Sequence, residues 1–329
     1  FIMGISFYLL ASLFVIVDYL YNEYGYIENF LCAYQANDNL KDSVVRIVGG
    51  YSEGSGFFIS DDQVITNFHV IADEPSPKVI FPDGHFVTPV KITGDKDADL
   101  AVLYIEEKHP EIVMNFMDGD KLFDLLENVP LISIGYPLGT GLTGEATVVK
   151  GRYLAIRQSK HYPVSYLQTD ISLVEGMSGG PLVSQCGDVA GINTMSLSGQ
   201  SLFISAFDVT QLLSNFTDQE ITKIEVDPSA SPQEAVEAFY TYLKARKMQD
   251  GFNLLSEEYL TKTNFEEWTN RFADILDVNV ILTEPYEDSE DTVFVKFTTK
   301  NWNEGEVDYR YYEGTWQTVE DDGVYKMKK

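Results

Sequence analysis

Apolar and polar positions divide this chain into four stretches of different character. Residues 1–17 carry no charge and are dominated by Ile, Leu, Phe and Val. Such a run predicts a membrane-spanning helix at the short end of the usual length. Asp18 ends it, and Tyr19 and Tyr21 follow as at a membrane interface. We expect an uncleaved transmembrane anchor over 1–20, with a cleaved signal peptide as the alternative, although no small-residue cleavage site follows the run. Leu20, Tyr24, Ile27, Leu31 and Tyr34 then recur at alternating spacings of four and three, a heptad-like seam. It predicts a helical stalk over 21–42 that either oligomerises or packs on its own chain. Gly25 weakens that helix by about 1 kcal/mol.

From 43 to 217 the pattern is that of an all-β region. Short apolar runs at 43–48, 56–59, 63–66, 78–81, 101–105 and 131–135 are split by Gly, Pro and Asp turns. More follow at 144–156, 166–169, 181–183, 189–194 and 201–205. Asp208 is expected to cap a closing helix over 209–215. An acidic, polar linker around Pro228 occupies 218–230. Ser231-Pro232-Gln233-Glu234 then reads as a capping box with Pro at the first helical position. Ala235, Val236, Phe239, Tyr240 and Leu243 continue an amphipathic helix. Further helices are expected over 248–260 and from Asn264, and strands at 278–283, 292–299, 306–312, 315–319 and 324–327. Helices followed by strands make 231–329 an α+β domain.

Candidate chemistry lies in the β region. Gly176-Met177-Ser178-Gly179-Gly180 places a serine in a glycine-rich turn before the apolar Pro181-Leu182. A serine hydroxyl attacks only when a base takes its proton and amides await the oxyanion. The turn can supply the amides of Gly176 and Ser178. Upstream, Val64-Ile65-Thr66-Asn67-Phe68-His69-Val70 is a strand-like run reaching one of only 4 histidines. Between them Asp99 leads directly into the apolar Leu100-Ala101-Val102-Leu103. The order His, Asp, Ser is that of chymotrypsin-type proteases.

Residues from about 43 to 215 resemble a trypsin-like serine protease of the HtrA (Deg) type. The matching segments are Gly54-Ser55-Gly56-Phe57-Phe58-Ile59, Thr66 to Val70, Asp99 to Leu103, Ser178-Gly179-Gly180-Pro181-Leu182 and Gly191-Ile192-Asn193-Thr194. The resemblance implies two six-stranded antiparallel β-barrels with a site in the cleft between them. His69 would act as general base, Asp99 as its orienter and Ser178 as nucleophile, with Gly176 and Ser178 forming the oxyanion hole. Asp97, the nearby rival carboxylate, more simply caps its loop. Met177 stands where an acidic anchor for a cleaved N-terminus would sit, which points to control by loop ordering. Ser172, six residues before Ser178, argues against a preference for Lys or Arg and for a small or medium apolar side chain. Thr194, Met195 and Ser196 would run beside the substrate backbone. Phe203 is either a pocket residue or core. The resemblance also implies protein or peptide substrates and a homotrimer. The tail lacks a PDZ-type Gly-Leu-Gly loop and is closer to a cone-shaped, nuclear-transport-factor-two-like domain.

Composition narrows the partners. With 23 Lys+Arg and 51 Asp+Glu the formal charge is -28, which disfavours nucleic-acid binding. Such charge suits solubility outside the cytoplasm, and the acids of 18–38, with no base before Lys41, fit that side of a membrane. The two cysteines, Cys32 and Cys186, are too few for a disulfide framework. No spacing suggests a metal, and no cofactor is implied. His85, His109 and His161 have no clustered partners and are expected at the surface. The expected function is a membrane-anchored extracytoplasmic serine endopeptidase for misfolded or specific proteins. A catalytically silent scaffold with a ligand- or partner-binding tail is the alternative.

Overall fold

The computed structural model describes residues 2–24, 40–49, 52–72, 74, 76–119, 122, 129–138, 145–197, 199–218, 224–287, 289–303 and 306–329. A helix, α1 (Ile2–Tyr24), does form at the N-terminus. However, among the described residues no helix is long and apolar enough to cross a membrane. The expected transmembrane anchor at 1–20 is therefore not supported. Most of the expected stalk, including Ile27, Leu31 and Tyr34, lies outside the described residues.

The chain is mainly β. The first sheet takes β1 (Val44–Val48), β2 (Glu53–Ser60), β3 (Gln63–Thr66), β4 (Lys78–Ile80), β5 (Phe86–Val87), β6 (Lys91–Asp95) and β7 (Leu100–Tyr104). A helical turn, α2 (Phe68–Ile71), interrupts them after β3. The second takes β8 (Pro130–Gly135), β9 (Thr147–Gln158), β10 (Ser165–Thr169), β11 (Pro181–Val183), β12 (Val189–Leu197) and β13 (Gln200–Ser205), and it closes into a six-stranded barrel. The first does not close as expected. It is an eight-stranded sheet, ordered β14-β6-β7-β3-β2-β1-β4-β5, with β14 (Thr217–Asp218) returning from beyond the second barrel. Its two edges are dipeptide strands, too short to complete a ring. Val44, Phe57, Ile65 and Leu100 from this sheet share one core with Ile132, Ile134, Val183 and Ile204 from the barrel. The closing helix α3 (Ala206–Leu212) starts earlier than expected, behind Ser205. Asp208 does not cap it but accepts a bond from the Ser165 amide at 2.7 Å.

In the tail, α4 (Pro232–Lys244) begins at the expected box, with the Ser231 hydroxyl accepting from the Glu234 amide. The single helix expected over 248–260 is two pieces, α5 (Met248–Asn253) and α6 (Glu257–Leu260). The break has a partner. Ser256 donates its amide to Met327 O and Met327 donates to Leu254 O, so the last strand replaces the helical bonds there. After α7 (Phe265–Asn270) come β15 (Ile275–Pro285), β16 (Thr292–Asn303), β17 (Glu306–Asp321) and β18 (Val324–Met327), an antiparallel sheet in that order. The two strands expected at 306–312 and 315–319 are one, because Gly314 continues the ladder opposite Val295 without a turn. Phe239, Tyr240 and Trp268 are core here, whereas Tyr311 is 79% exposed. His109 is half-buried rather than a plain surface residue: it packs over Phe58 and Phe81.

The tail sheet is joined to the first sheet. Leu276 packs with Val48 and Ile80, flanked by Phe86, Trp302 and Val307. Charges ring that contact. Lys300 Nζ donates to Gly49 O at 2.6 Å and lies 3.2 Å from a Glu53 oxygen. Arg46 reaches the other Glu53 oxygen at 2.7 Å. Lys244 bridges Asp277 at 3.1 Å and Glu74 at 4.0 Å. Burial, with Arg246 and Lys244 close by, pushes the Lys78 amine well below its usual range despite Asp277 and Glu74. Burial opposes ionisation of Glu53, but Lys300 and Arg46 outweigh it and hold its carboxyl below the usual value.

The tail core and the buried carboxylate can each be probed by unfolding. Trp268→Ala, which empties the tail core beside Phe239, Phe252 and Phe272, should cost about 3–5 kcal/mol in urea unfolding of that core. A depressed carboxylate contributes stability above its unfolded pKa that is lost as pH falls through the folded one. Urea midpoints of the parent should therefore drop below about pH 4.3, the free glutamate value, more steeply than those of Glu53→Gln.

Candidate functional site

The segments singled out by their motifs meet where the two sheets face each other. Asn67 leaves β3 in an extended conformation and α2 turns the chain, so His69 sits on a short helical turn rather than at a strand end. Its Nδ1 lies 2.8 and 3.0 Å from the two Asp99 carboxylate oxygens. The His69 backbone amide also donates to Asp99 Oδ1 at 2.9 Å. Asp99 adopts a left-handed backbone (φ 55), a conformation an aspartate tolerates better than most residues. That turn aims its carboxylate away from β7 and back at the imidazole. Thr194 Oγ1 donates to Asp99 Oδ2 at 3.0 Å, and the Asn67 side-chain amide donates to Asp99 O. The loop is capped not by Asp97, as expected, but by Asp95, whose Oδ1 accepts from the amides of Asp97 and Ala98.

Ser178 follows a tight turn with left-handed glycines on both sides, Gly176 at φ 89 and Gly179 at φ 86. A methyl group at Gly179 would collide with Ser55 O and Thr66 Oγ1, and one at Gly176 with Tyr136 O. The turn is therefore seated directly against the strand that leads to His69. Met177 is fully buried. Its carbonyl accepts from the Gly180 amide and from Asn193 Nδ2 at 2.9 Å. Ser55 holds the turn from the other side. Its amide donates to Ser178 O, its hydroxyl donates to Gly176 O, and Tyr136 N donates to that hydroxyl, each at 2.8 Å.

The backbone amides of Met177, Gly179 and Gly180 all have acceptors. Among the described residues, those of Gly176 and Ser178 have none, and no hydrogen bond joins the Ser178 hydroxyl to the imidazole. Ser172, Met195 and Ser196 are exposed near the turn, with Ser196 paired to Ser201 and Met195 to Leu202 across β12 and β13. Phe203 is core, not pocket. Sequence reasoning overlooked Ser55 and Asn193 as holding residues, although both stand inside the matching motifs.

Residues 54–192 match the family described as trypsin-like peptidase domain. The match takes in under half of the chain and includes His69, Asp99 and Ser178. A probable periplasmic serine endoprotease, DegP-like, of Rhizobium meliloti (strain 1021) is 34% identical over 45% of this chain and 28% of its own length. The serine protease Do-like HtrA of Bacillus subtilis (strain 168) is 36% identical over 44% of this chain and 34% of its own. The chain thus spans about a third of the length of these relatives. A crystal structure of the serine endoprotease from Yersinia pestis is 27% identical, covering 56% of this chain and 65% of that one at a TM-score of 0.47.

Cys186, in a turn of the peptidase domain, is disulfide-bonded. The other cysteine of the chain, Cys32, lies outside the described residues.

Asn193 is fully buried and binds Met177 O, Ile134 O and Ser133 Oγ. Asn193→Ala strands those groups and should cost the peptidase domain about 1–3 kcal/mol, read from its urea unfolding midpoint.

Proposed function

We propose that this chain is a serine endopeptidase acting outside the cytoplasm, with Ser178 as nucleophile, His69 as general base and Asp99 as the group that orients it. The observation that carries the reading is the bidentate approach of Asp99 to His69 Nδ1. It fixes the tautomer with the proton on Nδ1 and leaves Nε2 free to take one. The nucleophile–base hydrogen bond of such sites is often long before substrate binds and tightens when it arrives.

In the first step Ser178 Oγ attacks the scissile carbonyl while its proton passes to His69 Nε2. The carbonyl oxygen becomes an oxyanion, held by the amides of Gly176 and Ser178. His69 then returns the proton to the leaving amine, giving an acyl-enzyme. Water repeats the sequence and frees the acid. Loss of one such oxyanion donor raises the barrier by about 3 kcal/mol. Asp99 orients the imidazole and stabilises the imidazolium.

The substrate is a protein or peptide entering in an extended form beside Thr194, Met195 and Ser196. Ser172 brings no charge to the specificity position, which suits a small or medium apolar side chain. A disulfide at Cys186 favours an oxidising compartment, and the periplasmic label of one relative agrees with it. We read the chain as a peptidase domain over 43–217, a linker over 218–230 and an α+β domain over 231–329.

Hydrolysis of an unfolded protein, such as reduced and alkylated casein, tests the proposal. The parent should cleave it. Ser178→Ala should not, and Asp99→Asn should lower kcat about 10⁴-fold. Equal turnover by parent and Ser178→Ala would sink the assignment.

A further inference from the structure

We infer that the C-terminal α+β unit braces the nucleophile turn, with Lys300 and Tyr309 as positioning residues for Ser178. The inference rests on the serine endopeptidase reading and gives the tail a part in that same site. The contacts form a short, continuous chain. Lys300 and Tyr309 are cross-strand partners in β16 and β17. The ammonium lies 5.5 Å from the Tyr309 ring centre. Both reach the same carboxylate: Lys300 Nζ at 3.2 Å and the Tyr309 hydroxyl at 3.1 Å from Glu53 Oε1. Lys300 also donates to Gly49 O. The tail therefore grips Gly49, just after β1, and Glu53, at the start of β2.

Glu53 opens β2, and Ser55 stands two residues on. In a strand, side chains two apart share a face, so a shift at Glu53 is carried to Ser55. Ser55 in turn binds Ser178 O and Gly176 O. Gly54, between them, leaves no slack: a methyl group there would lie 2.6 Å from Val70 and 2.9 Å from Ser178 O. Val70 is the residue after His69. A second grip acts on that side, where Lys244 of α4 approaches the buried Glu74, whose amide donates to Ile71 O at the end of α2. Lys300 and Glu53 are buried, whereas Tyr309 is exposed, so removing the Lys300 cation leaves the facing carboxylate under-compensated and free to seek another position.

The test uses the full chain and a small fluorophosphonate, diisopropyl fluorophosphate, with the limiting inactivation rate (kinact) separated from the half-saturating concentration (KI). Small reagents bypass peptide specificity. Lys300→Met should lower kinact about tenfold and Tyr309→Phe about fivefold, the rate equivalent of one hydrogen bond, with KI moving less than about twofold. Lys296→Met, at an exposed pair with Glu313, should match the parent. Urea unfolding confirms that each variant is folded at the assay temperature. If Lys300→Met does not fold, Tyr309→Phe decides, since it loses only a hydroxyl. Parental kinact in both variants, with the parent reactive, overturns the brace and leaves the peptidase reading standing. An unreactive parent overturns both.

Discussion

Ser55 is the point on which the site depends. Fully buried, it makes hydrogen bonds from its amide, its hydroxyl and its carbonyl. The first two bind the Ser178 and Gly176 carbonyls, and the third accepts from Thr66 Oγ1 at 2.7 Å, just before Asn67 and His69. One residue thus holds the turn from the second barrel against the strand of the first sheet that delivers the histidine. Each such bond is worth only about 1 kcal/mol net, but breaking one inside a protein leaves a buried group unpaired and costs more. Gly179 makes the arrangement possible, because no side chain fits between Ser55 O and Thr66 Oγ1. Asn193 does the same work from β12 on the Met177 carbonyl.

The charge distribution acquires meaning from the joint. The chain carries 51 acids against 23 basic residues, so cations are scarce. Arg46, Lys78, Lys244, Arg246 and Lys300 nevertheless gather where the tail meets the first sheet, around Glu53, Glu74 and Asp277. Buried ions of this kind seldom add net stability over an apolar contact, but they penalise any other docking geometry. The apolar contact of Leu276 with Val48 and Ile80 supplies the attraction. The ions fix the register.

Features that depend on neighbours in sequence are legible from the chain alone. Turn glycines, apolar strand runs and the capping box at Ser231 are of this kind, and their elements lie close to where the pattern puts them. What escapes such a reading depends on distant partners. The helix breaks at Ser256 because Met327 competes for its backbone. The first sheet stays open because its edges are dipeptides and β14 arrives from 217–218. Ser55 and Asn193 stand in view inside motifs, but their roles lie in bonds to Gly176 and Ser133, each at least 60 residues away. Lys300 and Lys244 meet their carboxylates, Glu53 and Glu74, only across the joint, far away in sequence. His109 misleads for the opposite reason: a polar residue in a loop, it is half-buried against Phe58 and Phe81.

Everything in the proposed chemistry turns on the Asp99–His69 pair making one serine among many reactive. The location of a single covalent adduct tests this. The full chain would be treated with a fluorophosphonate at neutral pH, digested and sequenced by mass spectrometry. One adduct is expected, on Ser178, and none after His69→Ala. An adduct on another serine, or equal modification of Ser178 without His69, would contradict the assignment.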